Sequence, residues 1–304
     1  MPNAAPIYSE RSFMKKEAVV PYLLVLPALL VLTSTVFLPI IFNVYISFFD
    51  FHLIRDATPE HYVGLQNYFE LAQDRRFWNA IRITSAFTII SVAIEFVLGL
   101  LLALLVNEAL PARRLIRTIL LAPILTTPLV VALVFRLMWH GEFGILQFFF
   151  DSIGLEGTYW LSQPLPAFVA ILVTEIWQHT SFVFLLMLGA LQMIPKKPLE
   201  AAEIDGANYW QRVWYITIPM MRPAIMVAVL FRLVFNLRLF EQVYVLTEGG
   251  PGTSTETISV LIYRSAFQQF KMGEAAAMSV YLTLLTVMLS VVLFRVVYRK
   301  EQKR

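Results

Sequence analysis

The chain has 304 residues, 58% of them hydrophobic and only 15% charged, with a formal net charge of +3 and no cysteine. At a mean hydropathy of +0.68, this composition excludes an ordinary soluble domain, a disulfide scaffold and a thiolate metal site, and it points to a polytopic membrane protein. The net charge is too small to name a partner, so the placement of the basic residues carries the information.

A helix needs about 20 apolar residues to cross the hydrocarbon core. Six stretches qualify, at 19–49, 83–106, 118–139, 167–193, 224–246 and 275–297. The first is long and carries Pro21, Pro27 and Pro39, which predicts a kink or an interfacial start. It is much longer than a signal-peptide core, and Arg11, Lys15 and Lys16 precede it. Residues 1–18 are therefore expected to be a cytoplasmic tail before an uncleaved anchor. Residues 19–304 read as one membrane domain, with no internal repeat, low-complexity tract or separate soluble unit.

Orientation follows from counting Lys and Arg by loop. With the N-terminus inside, the tails and the segments 107–117 and 194–222 lie on the cytoplasmic side. They hold fourteen basic residues, including Arg113, Arg114, Arg117, Lys196, Lys197, Arg212 and Arg222, against six in the outer loops. Both termini are expected inside. The outer loop 50–82 is long and mixed, whereas 142–166 has Asp151, Glu156 and Trp160 but no Lys or Arg. After the fifth run, Gly249-Gly250-Pro251-Gly252 is a turn cluster.

Between the fourth and fifth runs lies a polar island. Pro195 and Pro198 mark its entry, and Pro198, suited to the first helical position, is expected to start a short helix through Glu200, Ala201, Ala202, Glu203 and Asp205. Gly206 ends that helix and Asn208 caps another running towards Ile216. Two alanines that admit a close backbone, among three carboxylates, make a docking surface outside the membrane.

The same island resembles the signature of the membrane subunits of binding-protein-dependent ABC importers: Glu-Ala-Ala, three residues, Gly, nine residues, then Ile-x-Leu-Pro. Glu200-Ala201-Ala202, Gly206, Ile216, Ile218 and Pro219 match it at those spacings, with Ile218 in place of Leu. Asp205-Gly206-Ala207 with Trp210 is similar to the carbohydrate branch. Gly64-Leu65-Gln66-Asn67-Tyr68 and Thr247-x-Gly249-Gly250-Pro251 also resemble family patterns. Gln147 stands where the family often has Asn.

The fold so implied is an all-α bundle of six transmembrane helices with a cytoplasmic coupling loop, 194–222, between the fourth and fifth. The implied assembly is a homologous second permease subunit, two ATPase subunits and an extracytoplasmic solute-binding protein, in a bacterial inner membrane. The cargo so implied is a sugar, of the disaccharide or oligosaccharide class. Glu200, Ala201, Ala202, Asp205 and Gly206 would couple to the ATPase. By analogy with the maltose-importing relative, Gln178, His179, Phe182, Arg232, Phe235, Asn236 and Leu239 match sugar-contacting positions.

The residues read independently agree in part. No phosphate-binding loop, His-Glu-x-x-His or Gly-x-Ser-x-Gly occurs, so no catalytic residue, metal or cofactor is expected in this chain. ATP and magnesium would belong to the partner subunits, and no nucleic-acid partner is expected. Charges within lipid are expensive, so Glu95, Glu175, Arg232, Arg238 and Glu241 stand out. Glu175, His179 and Phe182 share one helical face, and so do Arg232, Asn236 and Leu239. Such stripes suit a sugar, whose hydroxyls need partners and whose ring can lie on Phe182 or Phe235. Arg238 and Glu241 are expected to neutralise each other, and Glu95 to pair with an arginine such as Arg232. A polyol or glycerol phosphate remains an alternative cargo. A secondary carrier using Glu95 and Glu175 as proton sites is a second alternative, and a membrane enzyme or receptor scaffold a third.

Overall fold

The computed structural model describes residues 24–108, 112–154 and 159–301. The tail 1–18 with its basic residues, the start of the first span with Pro21, and Glu156, Lys303 and Arg304 lie outside them. Among the described residues there is no strand, only two isolated bridges, Phe49 with Tyr62 and His52 with Lys271.

Five helices are long and apolar enough to cross a bilayer: α1 (Leu24–Ile46), α3 (Arg75–Asn107), α7 (Pro164–Gln192), α9 (Tyr209–Asn236) and α12 (Met272–Glu301, apolar over Met272–Val292). A sixth crossing is a broken pair, α4 (Arg113–Leu125) and α5 (Pro128–Met138), bent by 97°. Short helices fill the connections: α2 (Gln66–Gln73), α6 (Ile145–Ser152), α8 (Lys196–Ile204), α10 (Glu241–Thr247) and α11 (Ile258–Tyr263). The expected bundle is thus present, with two departures from the expected boundaries.

The first is the break in the third crossing, which hydropathy reads as one run. Thr126 and Thr127 are both extended, with ψ of 137° and 143°, because Pro128 pushes the residues before it out of the helical region. The second concerns the fifth crossing. Its helix begins at the Asn208 cap rather than near residue 224, and ends at Asn236 rather than near 246. Asn208 and Gln211 form a reciprocal capping box. Pro219 does not stop the helix, because a wide π turn at Val213–Thr217 directly precedes it. Beyond Asn236 the chain turns and restarts as α10, so the last apolar residues of the run belong to a separate short helix.

The α3 and α7 helices form the spine of the bundle. At Gly99 they touch so closely that an added Cβ would sit 2.7 Å from Val183 Cγ1 and 2.9 Å from Phe184 N. Small residues at such crossings give the van der Waals contact that replaces the hydrophobic effect inside lipid. One apolar cluster packs Phe87, Trp139, Ile171 and Val243, and another packs Ala103, Phe184, Met187 and Met221. The α1 helix stands apart, with none of its apolar window buried within this chain. Only its C-terminal end docks, through Ile46, Phe49 and Phe51 against Ala276. Asn67, from the Gly-Leu-x-Asn run, holds that junction by donating to Ser47 O and Phe49 O, each at 2.9 Å.

Candidate functional site: a polar passage between α7, α9 and α10

A cavity of about 420 Å³ lies where the α4–α5 bend, α7, α9 and α10 meet. The bend contributes Ile124 and Pro128. The α7 helix contributes Glu175, His179 and Phe182, and α9 contributes Arg232 and Phe235. The turn after α9 adds Arg238 and Leu239, and α10 adds Glu241 and Gln242. Helical spacing explains the α7 stripe; the early end of α9 explains how the turn brings Leu239 to the cavity while Asn236 lies behind it.

A buried ion cluster forms one wall. Arg232 Nε donates to Glu95 Oε2 at 2.6 Å, and Arg232 Nη2 donates to Glu95 Oε1 at 2.9 Å and to Glu175 Oε1 at 2.8 Å. His179 Nδ1 lies 3.0 Å from the same Glu175 oxygen. The Arg232 side chain is 3% exposed, Glu95 0% and Glu175 3%, whereas His179, at 21%, opens to the cavity. The expected pairing of Glu95 with Arg232 is therefore found, and Glu175 joins it. The ligand atoms of Glu95, Glu175 and His179 lie within 4.8 Å of one another, a spacing a metal ion would accept. The guanidinium, bound to both carboxylates, is the cation this group already holds. Glu175 Oε2 is buried and has no partner among the described residues.

Polar residues behind the cavity hold the helices in register. Gln178 Nε2 donates at 2.9 Å to Thr126 O, a carbonyl released by the α4–α5 break, and Gln178 Oε1 accepts from Gln242 Nε2 at 3.0 Å. Inside lipid such a freed carbonyl has to find a donor in the protein. Asn236 Nδ2 donates to Ser91 Oγ. Gln178 and Asn236 thus lie behind the cavity lining, while His179, Phe182, Arg232, Phe235 and Leu239 line it. Arg238 and Glu241 do not pair with each other. The expected three-residue spacing needs a continuous helix, and the chain breaks between them, with Phe240 at φ −130°. The roles of Gln242 and of the Thr126 carbonyl were not visible in the sequence, although Thr126-Thr127-Pro128 inside an apolar run is a break signal.

At the other end of α7, the short α8 stands out from the bundle without a single buried residue. Glu200, Ala201 and Asp205 are exposed, and Ala202 is half-buried. Gly206 has φ +82° and open space around it, so it serves as the left-handed residue that ends the helix. Arg212 pairs with Glu203, fastening α8 to the start of α9. Ile204, Trp210, Trp214 and Tyr215 are exposed nearby, at 87%, 57%, 64% and 80%.

Apolar helices folded around an open cavity with a buried ion cluster in its wall, and an exposed short helix at one end, make this chain a multi-pass membrane permease subunit. It belongs to the family of binding-protein-dependent transport system inner membrane components, whose sequence model matches residues 95–304. It is 38% identical to the trehalose/maltose transport system permease protein MalF of Thermococcus litoralis over 288 residues, covering 94% of each chain. It is 34% identical to the sulfoquinovosyl glycerol transport system permease protein SmoG of Agrobacterium fabrum, covering 92% of this chain and 90% of that one. Among solved structures, a bacterial ABC transporter involved in the import of the acidic polysaccharide alginate superposes with a TM-score of 0.82 at 25% identity. That match covers 95% of this chain and 99% of the other.

Proposed function

We propose that this chain is one of two permease subunits of an ATP-driven importer and forms half of the passage for a sugar delivered by an extracytoplasmic binding protein. The observation that carries the reading is the cavity itself: two phenylalanines, Phe182 and Phe235, face a wall whose buried charges are already paired. Aromatic faces suit the apolar side of a pyranose, and the remaining polar atoms suit hydroxyls. The relatives named for trehalose, maltose and sulfoquinovosyl glycerol support the same substrate class. Arg232 is committed to two carboxylates, which weighs against a strongly anionic cargo such as glycerol phosphate, although Arg238 still lines the cavity.

In this reading the α8 helix is the lever. A separate ATPase subunit grips Glu200, Ala201, Ala202, Asp205 and Gly206 on the cytoplasmic side, where both chain termini also lie. Nucleotide-driven closure of two such ATPases then moves the link between α7 and α9, the two helices that carry most of the cavity. ATP and magnesium are bound by those partners. Glu200→Lys or Gly206→Pro should uncouple hydrolysis from uptake in the reconstituted importer while leaving the chain in the membrane. Normal uptake by both variants at normal expression would refute the lever.

A further inference from the structure

Arg238 lines the passage cavity and also a second one, a groove of about 390 Å³ between the turn after α9, α11 and α12. It is therefore a wall the two spaces share. The side chain is exposed, and its guanidinium makes no hydrogen bond or ion pair among the described residues.

The depth of this arginine gives its exposure meaning. Asn236, just before it, donates to Ser91, the middle residue of the 33-residue α3. Gln242, just after it, donates to Gln178, the middle residue of the 29-residue α7. The turn that carries Arg238 thus lies halfway through the bundle. A charge at that depth belongs against protein or a water-filled path, not against lipid.

The groove has the chemistry of a saccharide site. Phe240, Tyr263 and Phe267 form a continuous row, with ring centroids 5.2 and 5.3 Å apart, and Phe267 is 60% exposed. Such faces suit the apolar side of a pyranose. Opposite them on α12, the Ser279 and Thr283 hydroxyls line the groove. Each donates back to its own helix, to Ala275 O at 2.9 Å and Ser279 O at 2.8 Å. Their oxygens are left as acceptors for the hydroxyl groups of a ligand, while Arg238 supplies donors only.

We propose that the groove is a second saccharide subsite continuous with the passage cavity, and that Arg238 is the specificity-determining residue between them, selecting a sugar of at least two rings. Continuity decides the occupant, because whatever fills the groove shares Arg238 with the path of the solute. The inference rests on the sugar reading of the passage, and its test separates the two.

The chain has no cysteine, so single thiols report on each space in the assembled, nucleotide-free importer in nanodiscs. Ile124→Cys places one in the passage cavity and Thr283→Cys one in the groove. Both are labelled with 2-aminoethyl methanethiosulfonate, a charged, water-soluble reagent, in the presence of trehalose, maltose or maltotriose. Both thiols should react, and a sugar that protects the first should protect the second. Adding Arg238→Gln should raise the sugar concentration for half-protection of either thiol roughly tenfold, the loss of one hydrogen bond from a charged group. Protection at Ile124→Cys with none at Thr283→Cys, or an unchanged half-protection with Arg238→Gln, would overturn the proposal. So would a Thr283→Cys thiol that resists the reagent and instead cross-links to the second permease subunit, since the groove would then be an interface between subunits. Failure of all three sugars to protect Ile124→Cys would overturn the sugar reading of the passage, and the second subsite with it.

Discussion

The molecule contains two buried ion nodes built with opposite stoichiometry. In the passage, one guanidinium, Arg232, sits between two carboxylates, Glu95 and Glu175. In the connection between α9 and α12, one carboxylate, Glu256, sits between two guanidinium groups. Its oxygens accept from Arg76 at 2.7 and 2.8 Å and from Arg264 at 2.6 Å. Glu256 is fully buried, but the Arg76 side chain is 37% exposed, so water reaches that node. Every member of the passage node apart from His179 is sealed. The outer node is a structural clasp, joining the start of α3 to the Gly-rich turn, where Asn79 also donates to Thr253 O at 3.0 Å. The passage node leaves Glu175 Oε2 without a partner among the described residues, beside a cavity. One node has used its hydrogen-bonding capacity to hold loops together, and the other has kept some beside the path of a solute.

The largest expected effect comes from breaking the sealed node. Arg232→Leu leaves two carboxylates facing each other without a counter-ion and should cost about 3–5 kcal/mol. It should be read as lost monodisperse protein in detergent. Adding Glu95→Gln and Glu175→Gln to that variant removes the stranded charges and should restore much of the yield. Failure of this rescue would mean that the node's geometry matters more than its charge. Glu256→Gln strands two arginines that water partly reaches, so a smaller loss of about 1–3 kcal/mol is expected. Detergent-solubilised melting temperature, compared between the two single variants, ranks the nodes directly.

Gln178→Leu removes the donor to the Thr126 carbonyl and the acceptor for Gln242, and should cost about 1 kcal/mol, the scale of interhelical hydrogen bonds in bilayers. Its signature should be faster hydrogen exchange at the α4–α5 bend with little change at the outer node. The smallest effect belongs to an exposed pair. Asp56 accepts from the Arg55 side chain and from His52 N–H, and these bonds hold its carboxyl down at about 2. A depressed carboxyl favours the folded loop above the ordinary carboxylate range, and that contribution fades as pH falls towards about 2. The protection factor of the His52 amide, corrected for intrinsic exchange, should therefore fall over that window in wild type and stay flat in Asp56→Asn.

Much of the architecture was written in one dimension. Apolar runs of spanning length, Pro195 and Asn208 as punctuation, and the Glu200-Ala201-Ala202 to Pro219 spacing led to a helical membrane bundle with an exposed α8, because burial in lipid demands long apolar helices wherever the chain crosses. The helical period also put Glu175, His179 and Phe182 on one face before any neighbour was known. The fifth helix was misjudged at both ends: hydropathy follows apolar character, whereas the helix follows its cap at Asn208 and the turn after Asn236. Which side chains met across the bundle was settled only in three dimensions. Arg232 reached Glu95 across 137 positions of sequence and Glu175 across 57, Gln178 filled the gap opened by Pro128, and Arg238 and Glu241 parted at a break. Local periodicity is a property of neighbouring residues, but charge pairing inside lipid is settled by whichever opposite group the packed helices bring within reach.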